Sequence, residues 1–201
     1  MGSVKINIGC GLDAYPGWHN YDNSPTILLS RLPFGRRIFR TPPWPRSVIR
    51  LDVVKKDLPF PENSVDCIYS SHAFEHLTYD ASLNVARRCY RVLRPGGIMR
   101  IAVPDLGRIV HDYLKNPEPL ASHQLLHRTG VLGMHMGLRN LIHPGASHRQ
   151  MFDERSLRHM LKEAGFPNPE QKQFGESRIP DIAAIELPNR AFESLYVEAV
   201  K

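Results

Sequence analysis

Residues 4–22, VKINIGCGLDAYPGWHNYD, decide the fold of this chain. Val4–Ile8 is an apolar run with β-branched residues, which is typical of a buried parallel strand. Gly9-Cys10-Gly11 follow where that strand ends, and glycines there let the main chain turn and approach a ligand closely. A second short strand is predicted at Trp18–Tyr21, with Asp22 at its tip. A carboxylate in that position can accept both vicinal hydroxyl protons of a ribose, so the stretch predicts a nucleoside-binding sheet.

The connection between these two strands is unusually short. Only Leu12–His19 lie between them, whereas a parallel crossover normally takes a dozen or more residues. We therefore expect the first crossover helix to be lost, or reduced to a turn that contains Pro16-Gly17.

Three further strands extend the sheet, at Ser47–Val54, Val65–Ser70 and Ile98–Val103. A helix over Ala81–Leu93 presents an apolar face to the sheet, and glycines in Arg94–Gly97 are predicted to cap it. Strands that alternate with loops and helices indicate a parallel, doubly wound sheet, whose ligands bind beyond the carboxyl ends of the strands. Five positions fall at that edge: Gly9–Gly11, Asp22, Asp52, Ser70–His72 and Pro104-Asp105.

Length and composition fit a single globular domain over residues 1–201. The hydrophobic fraction is 42%, and no run is long enough to cross a bilayer. The three cysteines are widely spaced without metal-ligand spacing, so we expect reduced thiols. No signal peptide is recognisable, and we expect a cytoplasmic protein.

The net charge of +6 is concentrated in one segment. Residues 31–56 hold eight basic side chains and one acid, Asp52. Residues 25–46 form an insertion that begins with a possible short helix and continues as PFGRRIFRTPPWP, where the prolines argue against a regular element. Its arginines could act as a lid that meets an anionic substrate; a solvated basic loop with Trp44 packed beneath it is an equal alternative. Nucleic-acid binding is not favoured, because no recognition helix or aromatic motif accompanies the charge.

Two blocks carry a family resemblance. LPFPENSVDCIYSSHAFEHL (58–77), followed by RRCYRVLRPGGIMRIAVPDL (87–106), resembles the second half of a class I S-adenosylmethionine-dependent methyltransferase, and INIGCG…GWHNYD resembles its first two motifs. The spacing is similar to a bacterial subgroup of small methyltransferases loosely linked to surface-polysaccharide synthesis. The resemblance implies a seven-stranded, mostly parallel Rossmann-like sheet of order 3-2-1-4-5-7-6 with the last strand antiparallel. It places a helix at Arg155–Ala164 and closing strands near 171–175 and 194–200.

The resemblance also implies the cofactor, S-adenosylmethionine, and its binding residues. Gly9, Cys10 and Gly11 match the loop beside the methionyl group, where backbone N–H groups would suit a carboxylate. Asp22 matches the ribose-binding acid, although a strand-end Asp is often only a turn cap. Asp52 with Val53 matches the adenine position, for which Asp57 is a rival. The loop beside the sulfonium is matched by Ser70 and Ser71.

Two departures and one candidate base complete the predicted site. The glycine motif lacks a third glycine, and Asn7 stands where the family has an acid. His72 follows Ser71 at the edge of the crevice, and its reference pKa of about 6.5 suits a general base for a protonated acceptor; capping of the next helix is the alternative. Glu75 and His76 are assigned to packing or capping.

The segment 106–150 is predicted to be a helical cap that shapes the acceptor site. His123 and His127 share a helical spacing, but no third ligand follows at a recognisable distance, so no metal is expected. His143–His148 with Arg149 could belong to this cap, and His135 receives no separate assignment.

The sequence thus predicts methyl transfer to a small-molecule or glycan acceptor, which the basic insertion would allow to be anionic. A cofactor-binding partner protein without catalysis is one alternative. A nicotinamide oxidoreductase is another, but residues 12–14 break the G-x-G-x-x-G pattern that it requires. The oligomeric state stays open.

Overall fold

The structure is a computed structural model that describes residues 2–38, 40–116, 118–129 and 148–201. The rest of the predicted cap, residues 130–147 with His135 and His143, lies outside the described residues, as does the His123 side chain. Within the described ranges, no helix is both long and apolar enough to cross a bilayer.

Seven strands form one sheet in the order β3-β2-β1-β4-β5-β7-β6, which confirms the predicted topology. The pairs from β3 through β5 are all parallel, while β7 runs antiparallel to both β5 and β6. The carboxyl ends of β1 to β5 therefore meet at one edge. The strands are β1 (Lys5–Ile8), β2 (His19–Asp22), β3 (Val48–Arg50), β4 (Val65–Ser71), β5 (Leu93–Pro104), β6 (Glu170–Lys172) and β7 (Ser194–Val200).

The helices cover the sheet with amphipathic faces. The Thr78 side chain caps α3 by accepting the Ala81 N–H, and a reciprocal capping box between Asp153 and Ser156 opens α6, close to its predicted start. The helices are α1 (Thr26–Ser30), α2 (Gly35–Ile38), α3 (Tyr79–Val92), α4 (Leu106–Lys115), α5 (Ala121–Arg128) and α6 (Glu154–Glu163), with 3-10 turns at Phe74–His76, Ile182–Ala184 and Pro188–Arg190.

Three boundaries differ from expectation. The third strand ends at Arg50, because the Asp52 carboxylate accepts the Val54 N–H (3.1 Å) and turns the chain. The prediction that glycines cap α3 is wrong: Leu93 already belongs to β5, and Arg94–Gly97 forms an irregularity where the β4–β5 register shifts. The Pro-rich part of the insertion contains one helical turn, α2, contrary to prediction.

The first crossover contains turns and no helix over residues 9–18, all of which are described, as predicted. Two buried asparagines brace it. The Asn20 amide donates to the carbonyls of Tyr15 (3.0 Å) and Trp18 (2.9 Å) and accepts the Tyr15 N–H. Asn7 donates to the Asn20 side chain and to the Asp13 carbonyl, both at 3.3 Å. An amide, which can donate and accept, therefore holds the short loop where a carboxylate could only accept.

A buried charge network fixes the segment after β6. Arg100, on β5, is fully buried and donates to the Glu186 carboxylate at 2.6 Å. It also donates to the carbonyls of Gln173 and Glu176, and Glu198 lies 3.6 Å away. A buried ion group of this kind contributes little net stability, but it is costly to break.

Candidate functional site

A cavity of about 540 Å³ lies at the carboxyl edge of the parallel strands. Its size is in the range of small-molecule sites, and its lining mixes apolar side chains with a few polar ones. The sequence-predicted residues that line it are Gly9, Cys10, Gly11, Asp22, Asp52, Val53, Ser71 and His72.

The glycine loop packs tightly against the loop after β4. Gly9 has φ of +69°, and a Cβ on it would lie 2.5 Å from the Ala73 Cβ. Gly11 has φ of +56°, but a Cβ there would meet no atom within 4 Å. Gly9 is therefore required both by conformation and by space, and Gly11 by conformation alone.

The backbone amides of this loop are not open to a ligand carboxylate, which corrects the sequence-based expectation. The N–H groups of Gly9 and Cys10 both donate to the Tyr21 carbonyl, at 2.8 and 3.1 Å. The Gly11 N–H donates to the Asp22 carboxylate (3.0 Å). These bonds fix the shape of the loop and use the donors that a bound carboxylate would need.

Asp22 ends β2 and lines the cavity. One oxygen accepts the Gly11 N–H and the other accepts the Ser24 N–H (2.7 Å). Asp22 therefore caps the turn that follows β2. A carboxylate has about four lone-pair sites, and two of them stay available. Asp22 can therefore brace the loop and accept two further hydroxyl protons.

Asp52 and its rival Asp57 lie in different places. Asp52 lines the cavity with Val53, whereas Asp57 is more than half exposed and pairs with Arg88 (3.1 Å) and Arg91 (2.9 Å). Those arginines hold the pKa of the Asp57 carboxyl below its ordinary value. The structure therefore brings only Asp52 to the cavity.

Arg88 is a site residue that the sequence reasoning missed. Its guanidinium donates to three backbone carbonyls of the loop that carries Asp52, those of Val53 (2.7 Å), Val54 (2.9 Å) and Lys56 (3.0 Å). Helical periodicity places Arg88 on the outer face of α3, away from the sheet. Periodicity cannot show that an outward side chain reaches a loop far away in sequence.

The two serines at the end of β4 face opposite ways, because side chains alternate along a strand. Ser71 lines the cavity. Ser70 is buried, and its hydroxyl donates to the Ile8 carbonyl of the neighbouring strand (3.0 Å). The prediction that both serines border the ligand is therefore corrected for Ser70.

His72 lies in the cavity wall with a side chain only 9% exposed. Its backbone has φ of +50°, an uncommon conformation for a residue with a side chain. Its Nε2 is 2.8 Å from the Ser194 hydroxyl, and its Nδ1 is 3.3 Å from a Glu75 carboxylate oxygen. Both ring nitrogens are thus engaged by the protein.

The rest of the lining comes from distant segments. The 3-10 turn at Pro188–Arg190 contributes the half-buried Arg190, and Ile185 and Leu187 precede it. Among the described residues of the insertion (25–46), only Trp44 lines the cavity. Its indole donates to the Thr26 hydroxyl (2.9 Å) and packs beside Cys10. Trp44 therefore packs beneath the insertion, and none of the described arginine side chains of the insertion lines the cavity.

Comparison with known proteins points to one class. Residues 35–101, about a third of the chain, match a family model described as a methyltransferase domain. A ubiquinone/menaquinone biosynthesis C-methyltransferase from Cronobacter sakazakii is 32% identical over 111 residues, which is 55% of this chain and 42% of that protein. The chain therefore spans less than half the length of this relative.

Solved structures share the whole fold. A SAM-dependent methyltransferase from Archaeoglobus fulgidus superposes with a TM-score of 0.56 at 14% identity, covering 100% of this chain and 87% of that one. PigF with SAH superposes with a TM-score of 0.54 at 19% identity, covering 98% and 50%. The chain thus shares the fold of these methyltransferases, and residues 35–101 are similar in sequence to a methyltransferase domain.

Proposed function

We propose that the protein transfers a methyl group from S-adenosylmethionine to a small-molecule or glycan acceptor. The observation that carries this proposal is the placement of Asp22 and Asp52, on the ends of adjacent strands, in the wall of one cavity beside the glycine loop. That arrangement is suited to an adenine nucleoside lying across the strand edge.

The residues of the cavity fit the cofactor in its nucleoside part. Asp22 would accept the ribose hydroxyls with its two remaining lone-pair sites. Asp52 would accept the exocyclic amine, with Val53 and Leu51 against the adenine ring. At the methionyl end, the glycine amides already donate hydrogen bonds within the protein. We therefore propose that the Arg190 guanidinium binds a carboxylate. That carboxylate would belong either to the cofactor or to an anionic acceptor.

When bound, S-adenosylmethionine supplies an electrophilic methyl carbon on a positively charged sulfur. The protein's part is to hold the acceptor in line and to exclude water, because charge disperses as the methyl group moves. Phe74 and Leu77 with Ile185 give the cavity the apolar surface that exclusion of water needs.

His72 stays our candidate for the general base, with one structural condition. The Ser194 hydroxyl donates to the Arg190 carbonyl (2.8 Å), so it accepts a proton from His72 Nε2. His72 can take a proton from an acceptor through Nε2 only after its hydrogen bond to Ser194 is broken. A His72→Asn variant is therefore expected to lose methyl transfer while it keeps affinity for S-adenosylhomocysteine.

The acceptor class rests on two features. Arg190 provides a cation in the cavity, which favours an anionic acceptor, and the resemblance to methyltransferases linked to surface-polysaccharide synthesis favours a glycan. We propose that the protein acts on such substrates within the cell.

Isothermal titration calorimetry tests the proposal. We expect saturable binding of S-adenosylhomocysteine and no binding of NAD; heat with NAD alone would overturn it in favour of an oxidoreductase. Methyl transfer from a labelled donor to candidate glycans and anionic metabolites then separates an enzyme from a binding protein. Cofactor binding without any turnover across that panel would favour the non-catalytic alternative.

A further inference from the structure

One carboxylate beside the cavity is buried without hydrogen bonds. Glu75 is 1% exposed, and neither of its oxygens accepts a hydrogen bond from any described residue. Burying a charged group in this way is costly unless something compensates it. Glu75 therefore faces a position that a cation would satisfy.

His72 points to the same position. Its Nδ1 lies 3.3 Å from a Glu75 carboxylate oxygen, and its Nε2 is 2.8 Å from the Ser194 hydroxyl. The imidazole therefore borders the space that the Glu75 carboxylate faces.

A second unsatisfied group lies close by. His148 is half-buried, and its Nδ1 has no hydrogen-bond partner among the described residues. A hydrogen bond with the Thr129 backbone engages the ring, while Nδ1 stays without one. Metal-binding histidines commonly use one nitrogen for the ion and the other for a backbone carbonyl.

The segment that carries His148 is fastened directly to Glu75. The backbone N–H groups of Arg149 (2.8 Å) and Gln150 (3.2 Å) both donate to the Glu75 carbonyl. The Gln150 side chain donates to the Phe74 carbonyl (3.2 Å). These bonds join two segments that are more than 70 residues apart in sequence, so the cluster is a feature of the fold rather than a chance approach.

Three ligand atoms converge there. One atom each from Glu75, His76 and His148 lie within 4.8 Å of one another, and the two imidazole rings are 5.2 Å apart at an edge-to-face angle. Closing on an ion with bonds of about 2.1 Å would bring these atoms to roughly 3.3 Å of each other. That change is within the reach of side-chain adjustment.

We propose that Glu75, His76 and His148 bind a divalent first-row transition metal such as Zn²⁺. Two imidazoles and one carboxylate suit this class of ion, whereas Mg²⁺ and Ca²⁺ prefer oxygen ligands. His76 also lines the cavity, so the ion has an open side toward it. This replaces the packing role predicted for Glu75 and His76 and uses a ligand set different from the His123–His127 pair.

The role of the ion rests on the proposed function. A metal in this wall would bind an acceptor oxygen and lower the pKa of its hydroxyl, which makes it a better nucleophile. The substrate class is thereby narrowed to acceptors with a hydroxyl that can coordinate a metal, such as a vicinal diol or an α-hydroxy acid.

Titration of the chelator-treated full chain with Zn²⁺, without cofactor, tests the site. We expect one ion per chain with a dissociation constant of about 1 μM or lower. Co²⁺ should give visible d–d absorption that Zn²⁺ abolishes. The Glu75→Gln and His148→Asn variants should each weaken binding about 100-fold or more. Zn²⁺ should raise the melting temperature of the unmodified protein but not that of either variant.

His159→Asn is the matched control. His159 also stands beside a carboxylate, Glu163 at 3.6 Å, but both are exposed on α6, so its loss should leave Zn²⁺ affinity unchanged. Circular dichroism in the presence of EDTA shows whether each variant is folded. If the Glu75→Gln variant is unfolded, the Zn²⁺ affinity of the His148→Asn variant tests the site.

Binding weaker than about 100 μM, or equal binding by the folded variants, would overturn the site. Binding of S-adenosylhomocysteine in EDTA is measured separately, so failure of the metal site and failure of the proposed function can be distinguished.

Discussion

The two walls of the cavity differ in how completely their polar groups are paired. The nucleoside wall consists of residues 9–11, 22 and 52–54. The acceptor wall consists of residues 71–74, 76 and 190, together with three residues that contact them from outside the lining, Glu75, His148 and Ser194. In the nucleoside wall, loop amides and carboxylates are bonded to one another and Arg88 pins the adjoining loop. In the acceptor wall, a buried carboxylate and an imidazole nitrogen have no hydrogen-bond partner among the described residues.

This difference indicates which wall is preorganised for its ligand. The nucleoside wall keeps its shape through its own hydrogen bonds, so we expect it to bind cofactor without rearrangement. The acceptor wall holds polar groups without a hydrogen-bond partner among the described residues, and in our metal proposal a bound ion satisfies them. Four predictions test this contrast, beginning with the largest expected effect.

Arg100→Met should loosen the segment 173–186, which carries the cavity-lining Ile185. The change leaves Glu186 and Glu198 buried without their cation, and we expect the free energy of unfolding to fall by about 3–5 kcal/mol. Arg94→Met is the control: it lies on the same strand, but its pair with Asp66 is half-exposed, so it should cost about 0–1 kcal/mol. Urea unfolding measures both, and equal losses would contradict the assignment.

Gly9→Ala should damage the nucleoside wall more than Gly11→Ala does. Both residues have positive φ, which costs an alanine about 1–2 kcal/mol. Only Gly9 adds a collision with Ala73, worth about 1–3 kcal/mol more. Urea unfolding gives the difference; a Gly11 variant as unstable as the Gly9 variant would show that the close approach to Ala73 does not matter.

The affinities of the Asp52→Asn and Asp57→Asn variants for S-adenosylhomocysteine should show which carboxylate contacts the adenine. Loss of a charged acceptor is worth about 1.5 kcal/mol, or roughly tenfold in the dissociation constant for S-adenosylhomocysteine. Asp57→Asn should change that constant by less than about twofold, because Asp57 is occupied by arginines outside the cavity. Calorimetry on both variants decides, and the reverse ranking would assign the contact to Asp57.

The smallest effect concerns Cys10, which lines the nucleoside wall. Burial raises the pKa of its thiol from 9.0 to about 12, which lowers the thiolate fraction at pH 8 about 1,000-fold. Iodoacetamide should therefore modify Cys10 slowly in the folded protein and rapidly in urea, as mass spectrometry can show. Because the folded pKa is raised, the thiol favours folding below pH 9, and this contribution is lost as the pH rises toward 12. Equally fast modification of Cys10 in the folded protein and in urea would show that the thiol is accessible in the folded state.

The sequence predicted the nucleoside wall better than the acceptor wall, for a physical reason. The strand order follows from the family resemblance, and the positions of Asp22 and Asp52 follow from local signals, because strand ends and turn residues are close together in the chain. The pairing of the Gly9 and Cys10 amides with Tyr21 depends on the neighbouring strand, and the direction of the Ser70 side chain depends on the alternation along β4.

The acceptor wall depends on contacts between distant segments. Glu75 meets His148 across 73 residues. Behind the nucleoside wall, Arg88 likewise reaches a loop more than 30 residues away. No periodicity or spacing rule carries such information. The buried arginine at position 100 was likewise hidden in a strand that reads as apolar.

The short connection between β1 and β2 has a kinetic consequence. In a full crossover, a helix would stand over this end of the crevice; among the described residues, turns braced by Asn7 and Asn20 stand there instead. We expect the spent cofactor to leave on this side without displacing a helix, so that the rate of turnover is set by chemistry or by acceptor capture rather than by product escape.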